Sequence, residues 1–253
     1  MMLMLEISNI IIPRSITYEG QEYLITSISK GFNDSEIISL EFESNSEVII
    51  IEKEAFKHSK VQNITFPSSL QRICDSSFAF CTFIEEVIFP SDSELQYIER
   101  QAFAYSRLPS ITIPPHVKTI TEFAFFKCFM LEKVAFPKNT ELQIIEKAAF
   151  AHTKIKSIAI PSTVTQLGNA AFSSKVLSII DIPDNSQLQK IGGSSFATLI
   201  TTLNLPSDVE LEDGFCGSTP NLININIIQK KEKKIIYYEN KLILSKSSPE
   251  IDD

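Results

Sequence analysis

Phenylalanine recurs along this chain at a nearly constant interval, and this recurrence constrains the fold more than any other feature. Nine phenylalanines are spaced 19 to 25 residues apart, and each follows an alanine, serine or glycine. Seven prolines, spaced 22 to 24 residues apart, alternate with them. The phenylalanines are Phe32, Phe56, Phe78, Phe103, Phe125, Phe150, Phe172, Phe196 and Phe215, and the prolines are Pro67, Pro90, Pro114, Pro137, Pro161, Pro183 and Pro206. Two markers that share one period predict a single supersecondary unit stacked along an axis, which is a solenoid.

Each proline follows a short alternating segment that predicts a β-strand. The residues three and one before the proline are apolar in every unit, as in Ile111 and Ile113 before Pro114, and such alternation is typical of a strand with one buried face. Two further copies lack the proline, so we expect nine parallel strands, each paired with the next coil. A second apolar pair follows the turn, and then Ala-Phe, for which we expect a tight helical or 3-10 turn. We interpret the phenylalanine series as a buried spine.

The turns after the prolines alternate in length. The distance from proline to the next phenylalanine is 11, 13, 11, 13, 11 and 13 residues, which indicates a duplicated two-coil unit. The extra residues are polar, so we expect the longer turns to be solvated loops that project along one edge. Glu52, Glu99 and Glu146 recur at the same two-coil interval, four residues before their phenylalanine.

The strand residues two and four before the proline face away from the core and form the best candidate binding surface. Most are small and polar, and Ile88 and Ile179 are apolar exceptions. We name this surface the concave strip, and its candidate residues are Asn63, Thr65, Glu86, Ile88, Ser110, Thr112, Lys133, Ala135, Ser157, Ala159, Ile179 and Asp181. Slim side chains are what a closely spaced sheet face requires, and they also suit a flat platform for an extended partner. Both interpretations stay open.

Composition argues against several classes of function. The net charge of −8 is unevenly distributed, at −9 over residues 1–100 and +4 over residues 101–200, and nucleic-acid binding over the whole length would need a basic face. No apolar stretch of 18 residues is present, so we expect no transmembrane helix. The apolar start of the chain contains Glu6 and lacks a basic segment before it, so we do not interpret it as a signal peptide.

Catalytic and metal-binding motifs are missing from the sequence. His58 and His152 occupy equivalent positions four coils apart, too far to share a metal ion. Cys81 and Cys128 are also equivalent and lie two coils apart, beyond the reach of a disulfide. We therefore expect no enzymatic activity, no cofactor, no metal and no internal disulfide.

The repeated unit resembles the BspA-like leucine-rich repeat family. The resemblance rests on Ala-Phe, a Cys or Ser shortly after it, Leu-x-x-Ile-x-Ile-Pro and Val-x-x-Ile, as in residues 149–161. It implies a β-rich leucine-rich-repeat solenoid with a parallel concave sheet. In the family, the position four before the phenylalanine is often glycine, whereas here only Gly168 and Gly192 conform. The family has no shared enzymatic activity or common set of ligand residues, so no site residue is transferred.

The resemblance also bears on organisation and function. We expect an N-terminal hairpin cap over residues 1–27, nine repeats over residues 28–228, and a C-terminal hairpin-like cap with a flexible acidic tail over residues 229–253. The resemblance implies a surface adhesion or host-interaction protein that binds a host or extracellular-matrix protein, as a monomer or with weak self-association. An intracellular scaffold, with a cytoplasmic location, and a self-associating architectural solenoid are the alternatives.

Overall fold

The structure, a computed structural model, describes residues 9–228, 236–238 and 241–243. Nearly all of its regular elements are short strands. In chain order they are β1 (Asn9–Ile12), β2 (Ser15–Tyr18), β3 (Gln21–Leu24), β4 (Ser27–Ile28), β5 (Ser39–Phe42), β6 (Ile50–Ile51), β7 (Asn63–Thr65), β8 (Arg72–Ile73), β9 (Glu86–Ile88), β10 (Tyr97–Ile98), β11 (Ser110–Thr112), β12 (Thr119–Ile120), β13 (Lys133–Ala135), β14 (Ile144–Ile145), β15 (Ser157–Ala159), β16 (Gln166–Leu167), β17 (Ile179–Asp181), β18 (Lys190–Ile191), β19 (Thr202–Pro206), β20 (Glu210–Leu211), β21 (Asn224–Ile228), β22 (Ile236–Tyr238) and β23 (Lys241–Ile243).

The chain forms a leucine-rich-repeat solenoid in which each coil contributes one strand to each of two parallel faces. The predicted strands before the prolines are all present, as the odd-numbered strands from β5 to β21, and β1 pairs in parallel with the first of them. The apolar pair after each turn forms the even-numbered strands from β4 to β20, which pair in one continuous nine-stranded sheet. Sequence analysis placed apolar residues there without assigning a second sheet. We call the two faces the first sheet (β1 and odd-numbered β5–β21) and the second sheet (even-numbered β4–β20).

The first sheet opens at alternate junctions. No ladder joins β9 to β11, β13 to β15 or β17 to β19 among residues 9–228, whereas β7–β9, β11–β13 and β15–β17 pair in full. Each strand before one of these open junctions leads into a long turn, and each strand before one of these closed junctions leads into a short turn. Strand β5 is the exception, because it also leads into a long turn and yet pairs with β7, over two residues. The two-coil period therefore appears as an alternation of open and closed junctions, while the second sheet runs through without a break.

The long turns are not simply solvated loops, which corrects the expectation from sequence. Each folds one hydroxyl inward, and the buried residues are Ser93, Thr140 and Ser186. Their hydroxyl oxygens accept the backbone N–H two residues later, at 3.4, 3.4 and 3.2 Å. A hydroxyl buried with a hydrogen-bond partner avoids the cost of an unsatisfied polar group.

The Ala-Phe segments are hydrogen-bonded turns, and the helical expectation is right only at the first, where Lys30–Phe32 is a 3-10 helix. Elsewhere in residues 9–228 two left-handed residues commonly flank the phenylalanine, such as Gln101 (φ 58°) and Tyr105 (φ 62°) around Phe103. This backbone turns the N–H of Phe103 toward the carbonyl of Ala124 in the next coil, at 2.8 Å. The turns thus form a third hydrogen-bonded ladder between coils, which offsets the steric cost of left-handed residues.

The predicted phenylalanine spine is confirmed. The rings from Phe32 to Phe172 stack on one another with centroids 5.0 to 5.5 Å apart and planes within 8°. The seven spine phenylalanines from Phe56 to Phe196 are fully buried. Because each ring packs between the rings of neighbouring coils, the spine couples the coils along the axis.

Two sequence features near the turns have structural causes. The side chains of Glu99 and Glu146 accept the backbone N–H groups of Asp75 and Glu122 in the preceding coils, at 3.2 and 2.9 Å, so part of the glutamate recurrence satisfies backbone donors.

At Gly168, a Cβ atom would lie 2.6 Å from the nitrogen of Lys147. Only glycine fits at position 168, because the backbone of the preceding coil approaches it too closely for a Cβ atom.

Both chain ends carry two-stranded antiparallel pairs. Strands β2 and β3 form a hairpin whose turn, Glu19 and Gly20, is left-handed at both residues, as a two-residue hairpin requires. Strands β22 and β23 also pair. The acidic tail and most of the expected C-terminal cap lie outside the described residues, and the division into caps and repeats stays a prediction.

Candidate functional site

The concave strip is a single exposed face of the first sheet. In β7, β9, β11, β15 and β17 the middle side chain is buried and the two flanking side chains are exposed; β13 follows the same pattern with a half-buried Val134. Successive side chains of a strand point to opposite faces. The structure therefore brings all twelve predicted residues, two from each of these six strands, to the solvent side of one sheet.

Strand register arranges these residues in two columns. Thr112 lies opposite Ala135, and Ala159 lies opposite Asp181, in the column nearest the proline turns. The equivalent pairs in the other column are Asn63 with Glu86, Ser110 with Lys133 and Ser157 with Ile179. Ile88 and Ile179, 42% and 58% exposed, stand in different columns, so they form separate apolar points on the face.

A groove interrupts the strip at the open junction between β13 and β15. Its volume is about 410 Å³, and its walls are mainly apolar, with Ala135, Phe136 and Pro137 on one side and Ala159 and Pro161 on the other. Sequence analysis did not identify this groove. The only available signal was the long turn after Pro137, and its link to an open junction becomes visible in the structure alone.

Sequence analysis also missed an aromatic row on the turns, which we call the turn row. Its exposed members are Phe80, Phe83 and Phe129, and its half-buried members are Tyr105 and Phe126. The rings of Phe80 and Tyr105 stack with centroids 4.5 Å apart, and the Tyr105 and Phe126 rings meet edge to face at 5.6 Å. Nearby, Phe83 and Phe129 are 46% and 51% exposed. In their coils the next buried Ile or Leu lies six positions after the spine phenylalanine, against five in most other coils, and this extra residue was a usable signal.

Titratable groups do not assemble into a catalytic or metal centre in the part of the chain that the structure describes. No group of three or more His, Cys, Asp and Glu residues is placed to hold a metal ion there. His116 instead pairs with Glu141, at 2.8 Å between Nδ1 and Oε1, on the surface. His58 stacks on the Phe80 ring, while His152 meets the Phe126 ring edge to face.

The cysteines do not provide an activated nucleophile among these residues. Burial raises the pKa of Cys81 and of Cys128 to about 12, so both thiols stay protonated at neutral pH. Each donates to a carbonyl of the spine turn one coil earlier, Phe56 and Phe103 respectively, at 3.0 Å. Burial likewise raises the pKa of Cys74 to about 11.

Comparison with known families gives a match along most of the chain. The family described as BspA type leucine rich repeat region matches in six copies, over residues 26–143 and 139–241. No curated protein sequence matches the chain significantly. Across residues 9–228 and the two short C-terminal strands, no helix is both long and apolar enough to cross a membrane.

Two solved bacterial structures align with most of this chain. The pneumococcal vaccine antigen PcpA aligns with a TM-score of 0.54 and 21% identity, over 90% of this chain and 73% of its own. A leucine-rich repeat protein from Bacteroides ovatus aligns with a TM-score of 0.48 and 22% identity, over 88% of this chain and 70% of its own. At this level of identity the PcpA alignment supports the fold alone.

Proposed function

The chain belongs to the BspA-type leucine-rich repeat family, and from this premise we propose that it is a non-enzymatic protein-binding module. In this proposal it acts in surface adhesion or host interaction and presents the concave strip to a partner protein. A role in binding is consistent with the family, and the partner and the surface location are part of the proposal.

The observation that carries the proposal is the exposed two-column face of the first sheet. Its outward residues between β11 and β15 are Ser110, Thr112, Lys133, Ala135, Ser157 and Ala159. Apart from Lys133 these side chains are short, so a partner can approach the backbone closely over several coils. Repeated shallow contacts of this kind favour an extended protein surface over a small molecule, which needs a concave pocket.

A triple substitution tests the use of this face. Protein ligands would first be selected from a displayed library with the intact chain as bait. Thr112→Arg, Ala135→Arg and Ala159→Arg together place three bulky charges on neighbouring coils, and we expect at least a tenfold loss of affinity, about 1.4 kcal/mol. The control is Phe83→Arg with Phe129→Arg, which changes the exposed turn row instead. Full affinity in a folded triple variant would exclude the concave strip, and a selective loss in the control would move the site to the turn row.

Location is tested separately. Antibody labelling of intact cells should equal labelling of permeabilised cells if the protein is on the surface. Signal that appears only after permeabilisation would contradict the surface part of the proposal and favour an intracellular scaffold.

A further inference from the structure

The groove between β13 and β15 exposes part of the hydrophobic core. Val134 points inward from β13, and Phe136 points inward just after the strand ends. Both side chains are only half-buried. Their counterparts on the adjacent coils, Ile111, Ile113, Ile158 and Ile160, are all buried. The open junction therefore leaves apolar surface accessible from the concave strip at this coil.

Nothing on the strip covers this apolar surface. The outward residues on the two sides of the groove are Ala135 and Ala159, the smallest side chains among the twelve strip residues. At the neighbouring coils the same column carries Thr112 and Asp181. A groove of about 410 Å³ with alanines at its mouth has room for one large apolar side chain from outside.

The groove also offers a backbone hydrogen-bond donor. At three closed junctions, the backbone N–H of the residue just after the strand donates to a carbonyl oxygen of the next strand. The donors are Phe66, Ile113 and Ile160, at 3.0, 2.9 and 2.8 Å. At the open junction the equivalent N–H, that of Phe136, has no acceptor among residues 9–228. A main-chain carbonyl of an extended peptide is the natural partner for such a donor.

Charge around the groove is positive although the chain as a whole is acidic. Residues 131–165, which include both walls of the groove, contain five lysines and three glutamates, in a chain of net charge −8, and Lys138 lines the groove itself. Lys133, Lys138 and Lys156 make no ion pair within the described residues. Glu141 is paired with His116, and Glu146 accepts the N–H of Glu122. Two exposed carboxylates near the groove, Glu132 beside Lys133 and Asp181 opposite Ala159, make no ion pair within the described residues, so these three lysines exceed them by one charge. The field at the groove therefore favours a negatively charged partner.

We propose that this groove is the anchor point of the concave strip and binds one large apolar side chain from an extended, acidic segment of a partner protein. The Phe136 N–H donates to a carbonyl of that segment, and Lys133, Lys138 and Lys156 attract its carboxylates. The inference rests on the proposed function, because it names the kind of partner that the concave strip would take.

Defined peptides test the anchor directly. The probes are acetylated, amidated pentapeptides: Asp-Glu-Leu-Glu-Asp, the same peptide with alanine at the centre, and Lys-Lys-Leu-Lys-Lys. Binding is followed by amide chemical shifts of the isotope-labelled full chain. We expect the acidic leucine peptide to shift the Phe136 amide and its neighbours in β13 and β15, and the alanine peptide to bind roughly tenfold or more weakly. The basic peptide should not bind.

Matched variants separate the groove from the rest of the strip. Ala135→Leu fills the groove and should abolish binding, while Gln166→Leu, at an exposed residue of β16 in the second sheet, should leave it unchanged. Lys138→Glu with Lys156→Glu should weaken binding more than Arg107→Glu with Lys175→Glu, an equal charge change at exposed sites on the turn side.

The outcomes distinguish this inference from the proposed function. Leucine-dependent shifts centred on other coils of the strip overturn the anchor but leave the concave strip as a binding face. Equal binding of the leucine and alanine peptides, or no binding by any probe, also overturns the anchor. The concave strip itself is judged by the selected protein ligands and the triple arginine variant.

Discussion

The rings of Phe125 and Phe150 lie parallel, with centroids 5.1 Å apart and planes within 1°. Both side chains are fully buried in the middle of the spine. Each is held by the ring of the coil before it and the ring of the coil after it, so removal of one ring leaves a cavity with faces on two neighbouring coils.

Substitution in the middle of the spine should therefore be costly. We expect Phe125→Ala or Phe150→Ala to lower the free energy of unfolding by roughly 3–5 kcal/mol, measured by urea denaturation. Phe215→Ala, in the last described coil, should cost less, because fewer neighbours depend on it. Phe129→Ala, at an exposed position, is the control and should have little effect. Equal losses at Phe125, Phe150 and Phe215 would contradict the stacked-coil architecture.

Two adjacent alanines should respond to glycine with opposite signs. Ala170 has a left-handed backbone (φ 56°), whereas Ala171 does not and is fully buried. Ala170→Gly removes a steric cost and should stabilise the fold by roughly 0.5–1 kcal/mol net. Ala171→Gly loses a buried methyl group and adds freedom to the unfolded chain, so it should destabilise by roughly 1–2 kcal/mol. Thermal denaturation of the two variants side by side measures the difference, and shifts of the same sign would argue against the left-handed turn.

Acid should weaken the first coils through Glu54. Its carboxylate is hydrogen-bonded to the ammonium groups of Lys30, at 2.9 Å, and Lys57, at 3.1 Å. These bonds, the one from Lys30 first, lower the pKa of Glu54 from 4.5 to about 2. A carboxyl group whose pKa is lower in the folded state stabilises that state above its unfolded pKa and loses the contribution as the pH falls.

The window for this loss is therefore from about pH 5 down to about pH 2. The effect should be small because the pair is solvated, and smaller still in about 1 M salt. Urea denaturation across this window should show a weaker pH dependence in Glu54→Gln than in the unmodified chain. Glu85→Gln, at an exposed residue without an ion pair, is the control. An unchanged pH profile in Glu54→Gln would show that the two ion pairs do not contribute.

The two buried thiols should be unreactive in the folded protein. Ser106 lies in the coil between Cys81 and Cys128, and its hydroxyl contacts the Cys128 sulfur at 3.4 Å. Cys74 and Cys216 are only partly buried. An alkylating reagent at about pH 8 should modify these two first and reach Cys81 and Cys128 only on unfolding. Mass spectrometry of peptides from the unreduced protein measures both alkylation and disulfides, and a Cys81–Cys128 linkage would require a different register of the coils.

The coil, its phenylalanine spine and the strands of the first sheet were predictable because they rest on local pattern. Alternation of apolar residues specifies which side of a strand is buried, and recurrence at one interval specifies that the units stack. The twelve strip residues could be named for the same reason, since the solvent face of a strand follows from its period of two. The use of the strip in binding stays a prediction.

The features that local pattern could not predict are those that depend on contacts between coils. The two-residue strands of the second sheet are too short to show alternation. The left-handed turns use ordinary residues such as Gln101 and Tyr105, so no glycine marks them. Glu99 and Glu146 each accept a hydrogen bond from a backbone N–H of the preceding coil. That donor is about 24 residues away in the chain.

The sequence by itself determined that a repeated unit stacks, where its buried spine runs and which side chains face solvent, because each of these depends on periodicity within a unit. Tertiary structure decided which junctions of the first sheet pair and which open, and so placed the groove beside Ala135 and Ala159. The physical reason is that pairing between parallel strands depends on how adjacent coils fit together after turns of unequal length, and that fit is a property of two coils in contact and not of either one alone.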